Sequence, residues 1–229
     1  MALGESWQAL RSRNFRLFWI GQSFSFAGDR IATVAIVLYV TVDLHDVVGL
    51  GLVLAAQGAA LAVFLLIGGV WADRVPRKRL IIATDLLCFA LHGTLAFLIF
   101  KGNVAIWQLV LIEAGFGFAE AVYRPAFGGL LPQTVPEEGI QSATALAHAS
   151  ENASLAFGPL IATGLVLGAG AGWAFTFDAA TFLISASTVA FVRPRRRGAE
   201  GSEDKPQFMT NLKQGWAEVA SRKWVWATI

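Results

Sequence analysis

The stretch Gly-Gly-Val-Trp-Ala-Asp-Arg-Val-Pro-Arg-Lys-Arg-Leu, residues 68–80, decides the fold. It places one acid and four cations in a short turn between two long apolar runs. Charged side chains are costly inside the hydrocarbon of a bilayer, so a charged turn this short must lie at a membrane face. Backbone polar groups in lipid need partners within their own segment, and the runs on either side are therefore predicted to be membrane-spanning helices.

The composition of the whole chain favours the same class of protein. Hydrophobic residues make up 55% of the 229 residues and charged residues only 15%, which is too apolar for an ordinary soluble domain. Apolar runs approaching about twenty residues recur, the length needed to cross a bilayer, and they lack the alternation of a membrane barrel. We predict an all-α, polytopic membrane protein with six helices, at about 15–42, 48–72, 80–100, 104–124, 140–168 and 172–192.

The basic residues predict the orientation of these helices. With the N-terminus in the cytoplasm, sixteen of the eighteen Lys and Arg residues fall on the cytoplasmic side, whereas Lys101 is outside and Arg30 lies within a span. We expect a multi-pass protein of the plasma (cytoplasmic) membrane, with the lipid bilayer as its surroundings. Nucleic acid is not an expected partner, because the cations sit at helix ends rather than along one solvated face.

The chain divides into four predicted regions. Residues 1–14 form a cytoplasmic N-terminus and residues 15–192 the six-helix bundle. Residues 193–223 read as a basic cytoplasmic linker with an interfacial helix, because polar residues give way to an amphipathic pattern after Phe208. Residues 224–229 look like the opening of a seventh span, which predicts that the chain is truncated.

Several motifs resemble one transporter family. The charged turn at residues 68–80, called the charged hairpin below, resembles the loop between helices two and three of the major facilitator superfamily. The pair Gly158-Pro159 resembles a motif in the fifth helix of antiporters of that superfamily. The stretch from Phe15 to Arg30 resembles the macrolide and siderophore (enterobactin-type) exporter branch. The hairpin positions that match are Gly69, Ala72, Asp73, Arg74, Arg77 and Lys78.

The resemblance implies the N-terminal half of a proton-coupled exporter for a hydrophobic drug-like or siderophore-like small molecule. Its expected partners are that substrate, protons and a C-terminal six-helix half absent from this chain. A truncated membrane fragment or scaffold without transport activity is the alternative. An enzyme is not expected, since the sequence has no nucleophile–base pair or phosphate loop, and no metal site or cofactor is predicted.

Ionisable residues far from the helix ends are candidates for binding protons or substrate. Asp29 and Arg30 lie about midway along the first helix, and Glu113 is central in the fourth. A buried carboxyl group can exchange protons near neutral pH, so Asp29 is a candidate proton or cation carboxylate. A structural ion pair at Asp29, or a hydrogen bond from Glu113 to a neighbouring helix, would explain the same residues.

The fifth helix carries a further polar set. His148, Glu151 and Asn152 share one helix face by their three- and four-residue spacing. That face could bind a polar group of a solute or relay a proton, or it could be a polar seam between helices. Gly158 and Pro159 are predicted helix-packing residues, because a small residue permits close approach and proline bends a helix. His92 is expected to be a buried hydrogen-bonding residue.

The hairpin is interpreted as a gate. Asp73 would accept from backbone amides or pair with Arg77, and Glu120 with Arg124 would complete a network that parts when the inner side opens. The alternative is that the basic cluster only fixes the topology. The predicted gating residues are Gly69, Asp73, Arg74, Arg77, Lys78, Glu120 and Arg124.

Overall fold

The computed structural model describes residues 8–102 and 104–195. The predictions for residues 1–7, for most of the linker and interfacial helix after Arg195, and for a seventh span at 224–229 lie outside these residues. A short helix, Gln8–Arg11, precedes the bundle. The six long helices are α1 (Arg13–Leu38, continued by a π-helical turn, Tyr39–Asp43), α2 (Val47–Arg74), α3 (Arg77–Lys101), α4 (Ile106–Leu130), α5 (Ile140–Ala169) and α6 (Ala171–Ala190).

The prediction of an all-α membrane bundle is confirmed. Each of the six helices is long and apolar enough to cross a membrane, and no strand occurs in the described part of the chain. Local chemistry sets several of the helix ends. The side chain of Asp46 accepts a 2.7 Å hydrogen bond from Gly49 N and caps α2, and Gly102, at φ +70°, ends α3. Only Val75 and Pro76 separate α2 from α3, so the charged turn is as short as predicted.

The predicted end of the fourth helix, at residue 124, is wrong. Helix α4 continues through Pro125 to Leu130 and is followed by two short 3₁₀ turns, Leu131–Thr134 and Glu137–Gly139. Proline has no N–H, so Pro125 leaves the carbonyl oxygen of Ala121 without its usual helical partner. Gly68 of α2 packs against this oxygen so closely that a Cβ there would collide with it. The neighbouring helix therefore meets the backbone where the proline interrupts its hydrogen bonding.

The helices pack in the spatial order α2, α4, α3, α6, α1, α5. Exchanging α1 with α4, α2 with α5 and α3 with α6 gives the same row read from its other end, as expected of two three-helix repeats in inverted orientation. Helices α2 and α5 end the row, and only 11% and 17% of their most apolar segments are buried, against 39–50% for the other four. The bundle thus has α3 and α6 at its centre and exposed faces on α2 and α5.

Two apolar clusters occupy opposite ends of the bundle. One surrounds Phe15, Phe18 and Leu130, and the other surrounds Ile31 and Phe175. Between them lies a layer of buried polar side chains on four helices, which we call the polar layer; it consists of Gln22, Ser25, Asp85, His92, Glu113, Asp178, Thr181 and Ser185. Buried ionisable groups in a membrane bundle are expensive, so this layer is where function is to be sought.

Candidate functional site

A cavity of about 290 Å³ opens beside the polar layer, and we call it the main cavity. Helices α1, α3, α4, α5 and α6 all contribute to its wall. Large aromatic side chains from three of these helices supply much of the apolar surface: Phe26, Phe116, Tyr123, Phe127 and Phe182. Such a wall can hold the apolar body of a small molecule without fixing its identity.

Six of the predicted site residues meet on the wall of the main cavity. They come from α1, α4 and α5 and are Asp29, Arg30, Glu120, Arg124, His148 and Glu151. Glu120 accepts hydrogen bonds from Arg124 Nε at 3.0 Å and Nη2 at 2.5 Å. His148 Nδ1 lies 3.4 Å from Glu151 Oε2, and both side chains are about half exposed or more. Asn152 is exposed and does not line the cavity, so the structure does not bring it to this site.

Asp29 and Arg30 are adjacent in the chain, but their side chains have different surroundings. Arg30 packs its aliphatic stem against Gly158 of α5, where a Cβ would lie 2.6 Å from Arg30 Cβ. In the described residues, no carboxylate is within ion-pair distance of Arg30. Asp29 Oδ1 is buried and has no hydrogen-bond partner in the described part of the chain. The structural ion pair weighed as an alternative for Asp29 is therefore not present among these residues.

Glu113 does not reach the main cavity. It lies in a group that we call the buried cluster, formed by His92 of α3, Glu113 of α4 and Asp178 of α6. His92 Nδ1 is in direct hydrogen-bond contact with Asp178 Oδ2, and His92 Nε2 lies 3.8 Å from Glu113 Oε1. The expectation that His92 is a buried hydrogen-bonding residue is confirmed. All three side chains are at least 94% buried.

A second group of polar side chains joins four helices beside the main cavity. Tyr123 OH donates to Gln22 Oε1, Gln22 Nε2 donates to Ser185 Oγ at 2.8 Å, and Ser185 Oγ donates to Asp85 Oδ2 at 2.7 Å. Tyr123 and Asp85 also line the cavity. This chain of hydrogen bonds ties α4, α1, α6 and α3 together and satisfies buried polar groups that would otherwise be costly.

The charged hairpin contacts the ends of neighbouring helices. Arg77 Nη1 donates to Gly129 O at 3.0 Å, and Lys78 Nζ donates to Ala190 O at 2.6 Å and Val192 O at 2.8 Å. These carbonyls belong to the C-terminal ends of α4 and α6, where cations are favoured. The side chain of Asp73 lies outside the described residues, so its predicted pairing with Arg77 stays a prediction.

The remaining gating candidates differ in their surroundings. Arg74 is exposed, and a Cβ on Gly69 would meet no atom within 4 Å. Glu120 and Arg124 pair with each other on the cavity wall, one helical turn apart as expected. A gating role for these residues stays a prediction.

Asp85 and Asp178 are recognisable in the sequence as ionisable residues near helix ends, but neither they nor Ser185 are among the predicted site residues, although the structure places all three in the polar layer. A signal was present in the spacing. Asp85 and His92 are seven residues apart on α3, and Asp178 and Ser185 are seven apart on α6, so each pair shares a helix face. Because α3 and α6 pack at the centre of the bundle, these two polar faces meet.

Comparison with known proteins points to one family. Residues 18–229 match the Major Facilitator Superfamily. The chain is 25% identical over 215 residues to Macrolide efflux protein A of Streptococcus pyogenes. The matched segment covers 94% of this chain and 53% of that protein. It is 26% identical over 200 residues to the uncharacterized MFS-type transporter YfiS of Bacillus subtilis, covering 85% of this chain and 46% of that protein. The chain spans about half the length of the curated relatives it matches.

Proposed function

The chain belongs to the Major Facilitator Superfamily, and from this premise we propose that it forms the N-terminal half of a proton-coupled exporter of hydrophobic drug-like or siderophore-like compounds. Its match to about half of a macrolide efflux protein supports both the export activity and the existence of a second half. In this proposal the second six-helix half packs against this one, and the substrate binds between the two near the middle of the membrane.

The observation that carries the proposal is the composition of the main cavity. Aromatic side chains line it together with the carboxylates of Asp29, Glu120 and Glu151. The aromatic faces suit the apolar body of an amphipathic drug, and a carboxylate suits either a proton or a cationic amine on that drug. The volume of about 290 Å³ is at the lower end for small-molecule sites, about 300–1,000 Å³, as expected of one wall of a larger cavity.

Asp29 is the residue that we propose to couple protons to transport. It lines the main cavity, and its Oδ1 atom is buried without a hydrogen-bond partner among the described residues. A carboxyl group in this position is free to take up a proton in one state of the transporter and release it in another. Arg30 is the next residue in the chain, and its guanidinium would donate hydrogen bonds to a carbonyl or carboxylate of the substrate.

The protein is proposed to lie in the plasma membrane with its N-terminus in the cytoplasm. The hairpin cations Arg77 and Lys78 then hold the cytoplasmic ends of α4 and α6 through their hydrogen bonds to Gly129, Ala190 and Val192. Reporter fusions test this orientation. A periplasmic-only reporter fused after Gly102 should be active, and the same reporter fused after Val75 should be inactive.

Transport is tested by expressing this chain in a strain that lacks its own drug exporters, either alone or joined to a C-terminal six-helix half. Accumulation of radiolabelled erythromycin is measured with and without a protonophore. We expect the joined protein to lower accumulation, the protonophore to abolish the effect, and Asp29→Asn to remove it without loss of membrane-inserted protein. Normal efflux by Asp29→Asn would remove Asp29 from the coupling mechanism. No efflux from the joined protein would favour a membrane scaffold instead.

A further inference from the structure

The imidazole of His92 is enclosed by aromatic rings and acids. Phe116 stacks on it with ring centroids 4.7 Å apart and an angle of 10° between the planes, and Phe175 and Phe182 approach it edge-on at 5.5 and 6.0 Å. The side chain is 2% exposed, and its Nε2 atom has no hydrogen-bond partner among the described residues. An aromatic face and nearby carboxylates both favour the cationic form of an imidazole.

A small cavity lies beside His92 and shares part of its wall with the main cavity. It has a volume of about 20 Å³, is lined by Asp29, Gln57, His92 and Glu113, and is large enough for about one water molecule. Asp29 and Phe116 line both cavities. Among the described residues, four buried side-chain atoms have no hydrogen-bond partner, and two of them, Asp29 Oδ1 and His92 Nε2, belong to residues that line the small cavity. Asp29 is therefore the ionisable residue that the walls of the two cavities share.

The charges around His92 do not balance unless protons are bound. Asp178 approaches from α6, Glu113 from α4 and Asp29 from α1, while Asp85 lies two turns away on α3 itself. Gln57, which α2 contributes, is uncharged. Asp178 Oδ1 packs so tightly on Gly28 that a Cβ there would collide with it, so α1 offers no side chain to Asp178 at this position. Four carboxylates near one imidazole and Arg30 would carry net negative charge into the membrane interior, at high cost.

We propose that His92, Asp178 and Glu113 form a buried proton-binding site that exchanges protons with the main cavity through Asp29. The site lies on the central helices α3 and α6 and on α4, and its three residues do not line the main cavity. Its use in transport rests on the proposed function above, whereas proton binding itself does not.

The proton moves without any other change in bonding. A proton on the carboxyl group of Asp29 passes, through one water in the small cavity, to His92 Nε2. Asp29 becomes a carboxylate, and His92 becomes an imidazolium whose Nδ1–H is held by Asp178 Oδ2 and whose Nε2–H faces Glu113. Reversal of the same steps returns the proton to the main cavity. A substrate cation near Asp29 would favour this transfer, because it stabilises the carboxylate that is left behind.

Histidine-selective nuclear magnetic resonance tests the site directly in the chain as it exists. The chain has three histidines, so a sample labelled with nitrogen-15 only in histidine and held in lipid nanodiscs gives few signals, assigned with His45→Asn and His148→Gln. We expect the ring nitrogens of His92 to change from one protonated nitrogen to two as the pH falls from about 9 to about 5. A single, neutral tautomer of His92 at every pH would overturn the proposal.

Variants then test the partners and the route. Asp178→Asn and Glu113→Gln should each reduce the doubly protonated fraction of His92 at neutral pH by about tenfold, whereas the exposed Glu138→Gln should not change it. Asp29→Asn should slow exchange of the His92 ring protons with solvent at least about tenfold, compared with the exposed Glu138→Gln. Unchanged fractions would remove the two acids from the site, and unchanged exchange would remove Asp29 from the route.

Failure of this inference is distinguishable from failure of the proposed function. The resonance measurements need neither a substrate nor a second half. Titration of His92 in a protein that exports nothing would leave the proton site intact and remove the exporter. Efflux by a protein whose His92 does not titrate would remove the proton site and leave the proposed exporter intact.

Discussion

A Cβ atom on Gly158 would lie 2.6 Å from the Cβ atom of Arg30. This closeness brings α5 against α1 beside the main cavity, at the residue whose guanidinium is proposed to meet the substrate. Gly158 precedes Pro159 within the continuous helix Ile140–Ala169, so the contact occurs where the hydrogen-bonded backbone of α5 is already interrupted.

We expect Gly158→Ala to destabilise the bundle by about 1–3 kcal/mol, because the added methyl group overpacks the α1–α5 contact. The matched control is Gly164→Ala on the same helix, where a Cβ meets no atom within 4 Å. Alanine is the better helix former, so the control should be neutral or up to about 1 kcal/mol more stable. Thermal unfolding in detergent micelles checks both; equal melting temperatures would show that α5 shifts without cost.

Adjacent glycines on α2 provide a second matched pair. A Cβ on Gly68 would collide with the carbonyl oxygen of Ala121, whereas one on Gly69 meets nothing within 4 Å. Gly68→Ala should lower the free energy of unfolding by about 1–3 kcal/mol, and Gly69→Ala should not lower it. The change in helix propensity is the same in both, so thermal unfolding isolates the α2–α4 contact. A more stable Gly68→Ala variant would mean that the two helices do not pack this closely.

The sequence predicts the six helices because membrane thickness dictates the length of each apolar run. It misses the last six residues of α4, since a proline normally ends a helix and Pro125 does not. The packing order could not be predicted, because apolar helices in lipid gain little from any particular neighbour by hydrophobicity alone. Gly68, which packs on α4, is indistinguishable in sequence from Gly69, which does not.

In the candidate site, too, the sequence predicts individual residues but not which of them the packing brings together. Asp29, Glu120 and Glu151 could be predicted as candidates because charge in a membrane helix is conspicuous, and their common place on one cavity wall depends on packing. The partnership of His92 with Asp178 could not be read from composition, since it depends on α3 meeting α6. The seven-residue spacing of polar residues indicates only that each of the two helices carries a polar face.

Lys78 is expected to stabilise the bundle through the carbonyl groups that it binds. Its Nζ atom donates to Ala190 O and Val192 O, at the C-terminal end of α6. Lys78→Met should cost about 1–2 kcal/mol, because partly exposed hydrogen bonds from a charged donor are lost. Arg79→Met removes the same charge from an exposed position and should change stability by less than about 0.5 kcal/mol. Equal thermal unfolding of the two variants would reduce the hairpin cations to a role in topology alone.

Ser185 is the central member of the hydrogen-bond chain between Gln22 and Asp85, accepting from one and donating to the other. Ser185→Ala leaves two buried polar groups without this partner, and each such group costs about 1–3 kcal/mol. Ser187, on the same helix, is exposed and donates only to Leu183 O, so Ser187→Ala should be nearly neutral. We expect the first variant to melt well below the second in detergent micelles. If both variants melt together, water must replace the Ser185 hydroxyl in the polar layer, and the layer is then wetter than its burial indicates.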